Sequence, residues 1–272
     1  MQSNLLYNNY LATEKTDTGT ISVLTYNIGY ANGPESLTRT QTSKKAFELN
    51  LESIANTLKS ENPTLAAFQE IDVFSKRSCF IDQVAHIANK AEYPSYSIAF
   101  TWDRTWVPYP FFTFPKYQFG KTLAANVIFS KIPLLNQRVF YFKKPQKNNF
   151  IYNYFYLERL IQLNFVHLNK KLTAIINLHF EAYNNKARQI QLKALNKLLT
   201  NLNIPYIVCG DFNQPLNSNT KPFTFPSKSP IEKLDHILFN FHFFSLLDCK
   251  TITAKQPPSD HLALLSRLQV LN

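Results

Sequence analysis

This sequence predicts an α/β fold of two mixed β-sheets packed face to face, with helices outside. Three observations lead there. Short strand-like apolar runs outnumber helical ones across the 272 residues. Two of them, 159–168 and 172–180, are separated only by Asn169-Lys170-Lys171 and read as an antiparallel hairpin. Other runs are separated by stretches of helical periodicity, as parallel crossovers require. A doubly wound, all-parallel sheet is the runner-up, but the hairpin disfavours it. The mixture fits two packed sheets under an outer layer of helices.

Taken in order, residues 1–19 are polar and mixed, and read as a flexible leader ending at Gly19. Residues 20–272 read as one catalytic-sized unit, without repeats or a linker. Ile21 to Ile28 predicts a strand with Asn27 near its end. Lys44 to Ser60 predicts a helix, because Phe47, Leu51, Ile54 and Leu58 recur at helical spacing and Asn62-Pro63 stops it. Leu65 to Phe68 predicts a short strand running into Gln69-Glu70, Phe80 to Lys90 a helix, and Ser95 to Phe100 a strand. Residues 101–123, rich in aromatics and broken by Pro108, Pro110 and Pro115, read as a greasy loop. Strands follow at 124–129 and 138–142, then a basic turn, Lys143-Lys144-Pro145-Gln146-Lys147, and the hairpin. Lys186 to Leu202 predicts a helix with Ile190, Ala194, Leu198 and Leu202 on one side. Runs at 206–209, 234–239, 241–247 and 262–270 complete the strands.

Composition narrows the function. Lys and Arg number 29 against 18 Asp and Glu, a formal charge of +11, which favours an anionic partner. Solubility alone is the bland alternative. Cys79, Cys209 and Cys249 are odd in number and lack metal-ligand spacing, so reduced thiols in a reducing compartment are expected. No signal peptide or run of ~20 apolar residues is seen, so a soluble, cytoplasmic chain is expected.

Polar residues recur where strands end: Asn27, Gln69-Glu70, His179, and Asp211 with Asn213. Asp235-His236 and Asp260-His261 open two late strands. Gly210-Asp211-Phe212-Asn213 alone is an ordinary turn signal. The set as a whole is what phosphoryl chemistry requires. Carboxylates can hold a divalent ion that neutralises phosphate, and a histidine polarised by a carboxylate can take a proton from water. His86, His167 and His242 match no such pattern and are left as structural or surface groups.

In the order LTYNIGY, LAAFQEID, INLHFEA, VCGDFNQP, LDHILF and SDHLAL, spread over residues 21–270, the chain resembles the endonuclease/exonuclease/phosphatase superfamily. Ala125-Asn126 through Lys131-Ile-Pro is similar to that family's central strand. Glu158-Arg159, Glu181 through Gln189, and Val107-Pro108-Tyr109-Pro110 resemble a bacterial subgroup. The resemblance implies a four-layer α/β sandwich, deoxyribonuclease-like, and Mg²⁺- or Mn²⁺-dependent hydrolysis of phosphoesters. It implies Glu70 as principal metal ligand with Asn27 and Asp260 in the metal site. His179 would bond a phosphate oxygen, and Asp211 and Asn213 would position water and phosphate. His261 would be the proton-transferring histidine, oriented by Asp235, with His236 structural. Asn126, Arg77, Arg159 and Arg188 are candidate phosphate contacts, with salt bridges as the alternative for the arginines.

Residues 101–150 carry eight Lys or Arg and one acid, Asp103, interleaved with aromatics. That pairing suits nucleic acid, the favoured substrate, through stacking on a basic groove. It also suits a membrane surface, where a phospholipase C-like or phosphoinositide-phosphatase-like enzyme would work. A third reading has the same aromatics closing a core edge. A non-catalytic binding module on the same fold is the last alternative, and the intact acids and histidines disfavour it.

Overall fold

The computed structural model describes residues 4–8, 19–35, 42–145, 149–216 and 220–271. Its strands are β1 (Leu5–Asn8), β2 (Thr20–Asn27), β3 (Leu65–Asp72), β4 (Ser95–Val107), β5 (Gly120–Ser130), β6 (Leu135–Tyr141), β7 (Leu160–Leu168), β8 (Lys171–His179), β9 (Tyr206–Asp211), β10 (Asp235–Phe239), β11 (Phe244–Ile252) and β12 (Ala263–Val270). The helices are α1 (Lys44–Glu61), α2 (Gln83–Ala91), α3 (Phe150–Phe155) and α4 (Asn185–Thr200). Seven strands form one sheet in the order β1-β4-β5-β3-β2-β12-β11, and five form the other, β10-β9-β8-β7-β6. Each sheet has one parallel pair, β2–β3 and β8–β9, whose strands are joined through α1 and α4 respectively.

Three apolar layers hold this together. Leu51, Ile54 and Leu58 of α1 and Ile87 of α2 pack on Leu24, Phe68 and Phe129, the outer face of the large sheet. Val23, Ala67 and Ile128 meet Val166, Ile175 and Ile207 between the sheets. Leu195 of α4 covers Ile176 and Val208 outside the small sheet. The order is helix, sheet, sheet, helix, the predicted sandwich. α1 starts where the Ser43 hydroxyl accepts the Ala46 amide, and ends at Asn62, left-handed at φ 49°, just before Pro63.

The middle layer is not wholly apolar. Gln69 Nε2 donates to Asn177 Oδ1 (2.8 Å), and Asn177 Nδ2 donates to the carbonyls of Phe68 (3.0 Å) and Val127 (3.1 Å). Gln162 Nε2 continues the bridge to the Ser97 carbonyl (2.8 Å). These amides fix how one sheet sits on the other.

Several expectations change. Leu5–Asn8 of the predicted leader pairs with β4 as an edge strand, while residues 9–18 lie outside the described residues. Residues 101–123 are not one loop: β4 runs on to Val107, opposite Gly120 of β5, leaving only a hairpin tip. The β-branched and aromatic Thr101, Trp102, Thr105, Trp106 and Val107 favour extension, and the prolines break it only afterwards. On α4 the buried face is Gln191 and Leu195, about 100° round the helix from the predicted stripe, whose Ile190 is 66 % exposed. α3, unpredicted, follows the basic turn, of which Gln146 and Lys147 lie outside the described residues. All three cysteines are free thiols. No helix among the described residues is long and apolar enough to cross a membrane.

Candidate active site

Both sheets send their predicted polar ends to the same rim. Asn27 and Glu70 come from the adjacent parallel strands β2 and β3, and His179 and Asp211 from β8 and β9, where they sit in register with each other. Asp235 starts β10 directly opposite Asp211. Asp260 and His261 lie in the turn before β12.

Local backbone sets the aim of two of these. The β3–β5 pairing steps from Phe68↔Val127 to Ile71↔Ala125, so Gln69 and Glu70 form a bulge opposite Asn126. Glu70 there has φ 53°, which turns its carboxylate out of the strand's alternation. At Gly210 a Cβ would fall 2.1 Å from the Leu178 carbonyl oxygen, so only glycine lets β9 lie this close to β8 and deliver Asp211 beside His179.

The contacts are specific. Asn27 Nδ2 donates to Asp211 Oδ2 (3.0 Å) and weakly to Glu70 Oε1 (3.4 Å), while its Oδ1 accepts the Gly29 amide (3.0 Å). Because an amide N–H can only donate, Gly29 fixes which way the Asn27 side chain faces. Asn27 therefore braces the two carboxylates as a donor, with its Oδ1 held by the Gly29 amide. The Asn213 amide donates to Asp211 Oδ1 (2.8 Å), and Asn213 Nδ2 to the Phe180 carbonyl (2.9 Å). His179 Nε2 lies 3.5 Å from Asp211 Oδ2 and 3.8 Å from Glu70 Oε1. His261 Nδ1 is bonded to Asp235 Oδ2 at 2.8 Å, and its Nε2 lies 3.8 Å from Asp211 Oδ2.

Protonation follows from these neighbours. Burial, then the Asp260 charge, pushes Glu70 up to about 7, with Arg159 and His261 opposing. Burial lifts Asp211 above the ordinary carboxylate range, against the pull of His261. Burial disfavours a charged His261, but Asp235 and Asp211 outweigh it and hold the imidazole up to about 10. Burial and the Arg159 charge keep His179 neutral, well below its usual value.

The charges of Asp260 and Asp211 both bear on Glu70, against those of Arg159 and His261. That oxygen-rich, net-negative cluster fits a hard divalent cation. Asp211, Asp235 and His261 also bring ligand atoms within 4.8 Å of one another. There, however, the 2.8 Å His261–Asp235 contact is already a hydrogen bond.

The phosphate candidates divide. Arg159 is 6 % exposed, its Nε and Nη1 have no hydrogen-bond partner, and Glu181 Oε2 is 3.8 Å from Nε. Asn126, facing the bulge, is buried with both amide atoms unpartnered. These two keep binding capacity for a ligand. Arg77 does not: it forms a two-point pair with buried Asp72 (2.8 and 2.9 Å) and stacks 3.5 Å over Tyr30. Arg188 is likewise spent on the Glu181 and Ala182 carbonyls (2.7 and 2.9 Å) and Gln214 (3.1 Å), bracing the loop after β8. His236 bonds the Gln214 carbonyl and is structural in placement, as expected.

Sequence reasoning missed the supports. Ser259 Oγ donates to the Asn27 carbonyl (2.8 Å) and accepts the His261 amide (3.2 Å), while Phe225 packs 4.9 Å from the His261 ring. Tyr156 donates to Glu181 Oε1 (2.7 Å), which keeps that acid beside Arg159. Glu181 lies inside the INLHFEA segment singled out above, but its role beside Arg159 carries no sequence signal. Ser259 and Phe225 carry no sequence signal of their own.

Comparisons with known proteins agree with this architecture. A family model described as the Endonuclease/Exonuclease/phosphatase family matches residues 24–261. No curated protein matches the chain. Among solved structures, an endonuclease/exonuclease/phosphatase from Beutenbergia cavernae is similar at TM-score 0.66 and 15% identity, covering 92% of this chain and 72% of that one. A mannosyl-6-phosphatase from Bacteroides thetaiotaomicron is similar at TM-score 0.59 and 17% identity, covering 91% and 99%. Truncated TDP2 from Caenorhabditis elegans is similar at TM-score 0.59 and 16% identity, covering 94% and 100%. At these identities the likeness is one of fold.

Proposed function

Because the chain belongs to the endonuclease/exonuclease/phosphatase family, whose members hydrolyse phosphoester bonds, we propose that it is a divalent-metal-dependent phosphoesterase. The observation that carries this is the His261–Asp235 bond of 2.8 Å, with the other imidazole nitrogen turned toward Asp211 beside Glu70. Glu70 and Asp260 would hold Mg²⁺ or Mn²⁺, which when bound neutralises phosphate charge and stabilises the leaving oxygen.

The protein's own groups do the rest. Asp211, its two oxygens fixed by Asn27 and Asn213, orients the attacking water and accepts its proton. Against its burial, Asp235 and Asp211 raise the basicity of His261, which favours its cation, a donor rather than that base. His261 donates from Nε2 to a phosphate oxygen as charge builds there. His179, neutral, is a second donor. Arg159 and Asn126 offer unpartnered donors to the remaining phosphate oxygens.

Nucleic acid is the substrate that the +11 charge favours. Its support is narrower than the sequence implied. Lys144 is committed to Glu158 (2.8 Å) and two carbonyls, Lys76 to the carbonyls of Pro115, Lys116 and Gln118, and Arg104 to Tyr154 and Asp103 carbonyls. Purified protein with Mg²⁺ or Mn²⁺ should hydrolyse at least one member of a panel of nucleic acids, phospholipids, inositol phosphates and sugar phosphates, and lose that activity with chelator. Absence of chelator-sensitive hydrolysis across the panel would overturn the proposal.

A further inference from the structure

The most exposed aromatic side chains gather on the β4–β5 hairpin tip, on α3 and after β8, with Phe241, Phe80 and Phe74 exposed elsewhere. The β4–β5 hairpin tip presents Phe112, which is fully exposed, and Phe114 at 74 %, with Trp106 and Phe111 beside them. α3 turns Phe150 (82 %), Ile151 and Tyr154 outward, and Tyr183, after β8, is 78 % exposed. Hydrogen bonds join these elements: Trp102 Nε1 and Arg104 Nε of β4 donate to the Phe155 and Tyr154 carbonyls of α3 (2.9 and 2.6 Å), and Glu181 Oε1 accepts both the Tyr156 hydroxyl (2.7 Å) and the Tyr183 amide (3.2 Å). The reading of these aromatics as a closed core edge holds for Trp102, Phe119 and Phe142, which pack inward, and fails for the hairpin tip. Large apolar side chains gathered in solvent around a site mark an interaction surface.

The hairpin is held out rather than left loose. Lys76 Nζ donates to the carbonyls of Pro115 (2.9 Å), Lys116 and Gln118, and its charge sits 5.0 Å over the Trp106 ring. At the base, Tyr109 packs edge-on against Phe119 (5.1 Å), and Phe119 in turn flanks the Arg77 guanidinium. A prearranged apolar tip loses little freedom on docking.

Charge selects the partner. No Asp or Glu occurs between Asp103 and Glu158, the span that contains both the hairpin and α3. Lys116, Lys121 and Lys143 are exposed within it. A nucleic-acid track would need a line of uncommitted cations following a backbone; here Arg104 and Lys144 are bonded internally, Lys116, Lys121, Arg138 and Lys143 are exposed on separate elements, and the groups that protrude between them are aromatic. Protruding Phe and Trp ringed by a few lysines fit the interface of an anionic bilayer. We propose that this aromatic rim docks the protein on an anionic phospholipid surface, so that the site meets phosphoesters presented at a membrane. The inference takes the phosphoesterase reading as given for the chemistry of the site.

The test uses the whole chain and two separate readouts. Sedimentation with phosphatidylcholine vesicles, with and without phosphatidylserine, measures docking; hydrolysis of a soluble phosphodiester with Mg²⁺ measures chemistry. Binding to the anionic vesicles is expected, with a blue shift of tryptophan emission. Phe112→Ser with Phe114→Ser should weaken it roughly tenfold or more, and Lys116→Glu with Lys121→Glu should weaken it further. Both variants should leave soluble turnover unchanged. Absence of binding to anionic vesicles, or binding indifferent to both variants, overturns the docking proposal. Loss of binding to a single-stranded oligonucleotide in the same variants, without vesicle binding, would assign the rim to nucleic acid instead. Vesicle binding without any hydrolysis would sink the phosphoesterase reading and leave the docking standing.

Discussion

Replacing Asp235 by Asn removes one charge and keeps the shape of the side chain that orients His261. The bond it alters is the 2.8 Å contact to Nδ1. In the wild-type protein the imidazole is raised from 6.5 to about 10 despite its burial, with Asp235 contributing more than Asp211. That displacement corresponds to roughly 5 kcal/mol in favour of the imidazolium. Asp235 is the largest of the charges that hold the imidazolium, so its loss should cost a factor on the order of 10² in rate, in line with general acid–base contributions. The sign of the pH effect follows. His261 must be protonated to act, so wild-type turnover should persist on the alkaline side until pH nears 10. In Asp235→Asn the alkaline limb should move toward neutrality. The assay is kcat and KM for a soluble phosphodiester across pH, with KM little changed at neutral pH. His261→Ala should be at least as damaging, and the double variant barely worse, because groups acting as a unit are not additive. An unmoved alkaline limb, or fully additive losses, would refute the coupling of Asp235 to His261.

Three further outcomes are expected. Glu70→Gln should abolish hydrolysis with the fold intact and weaken Mg²⁺ binding by calorimetry; wild-type turnover at limiting Mg²⁺ would remove Glu70 from the metal site. Arg159→Ala should lower kcat/KM by on the order of 10²-fold, as loss of a charged donor to a developing phosphate charge does, and Arg159→Lys should not restore it, since one ammonium cannot replace the two-nitrogen fork. Asp72→Ala leaves the Arg77 guanidinium buried without its partner, and urea unfolding should show a loss of about 3–5 kcal/mol; a change below about 1 kcal/mol would mean that water or another group takes Asp72's place.

How much of this was legible in the sequence depends on the kind of signal. Strand ends bearing Asn27, Glu70, His179, Asp211, Asp235 and His261 could be read because each follows or opens a short apolar run, and the structure gathers them at one rim. What charge alone suggested was less reliable. Arg77 and Arg188 looked as available as Arg159, yet their partners Asp72 and the Glu181 carbonyl become neighbours only once strands and turns are formed. The donor orientation of Asn27 depends on a backbone amide two residues away, which no composition reveals. The reach of β4 was hidden because prolines past its end were read as breaking the stretch before them. The α4 stripe was misplaced because Ile190 is apolar but its face of the helix meets solvent, while the polar Gln191 is buried to accept the Glu181 amide (2.8 Å).

The division of the site between two sheets carries a consequence of its own. Asn27, Glu70 and His261 ride on the large sheet and its adjoining turn, while His179, Asp211 and Asp235 ride on the small one. The His261–Asp235 pair is itself divided, one member on each side of the gap. The Gln69–Asn177 amide bridge lies immediately below, one residue from Glu70 on one strand and two from His179 on the other. Turnover therefore works as a molecular caliper for the sheet-to-sheet joint. A slip of one layer over the other by a fraction of a side chain would silence the enzyme while both sheets kept every strand in place.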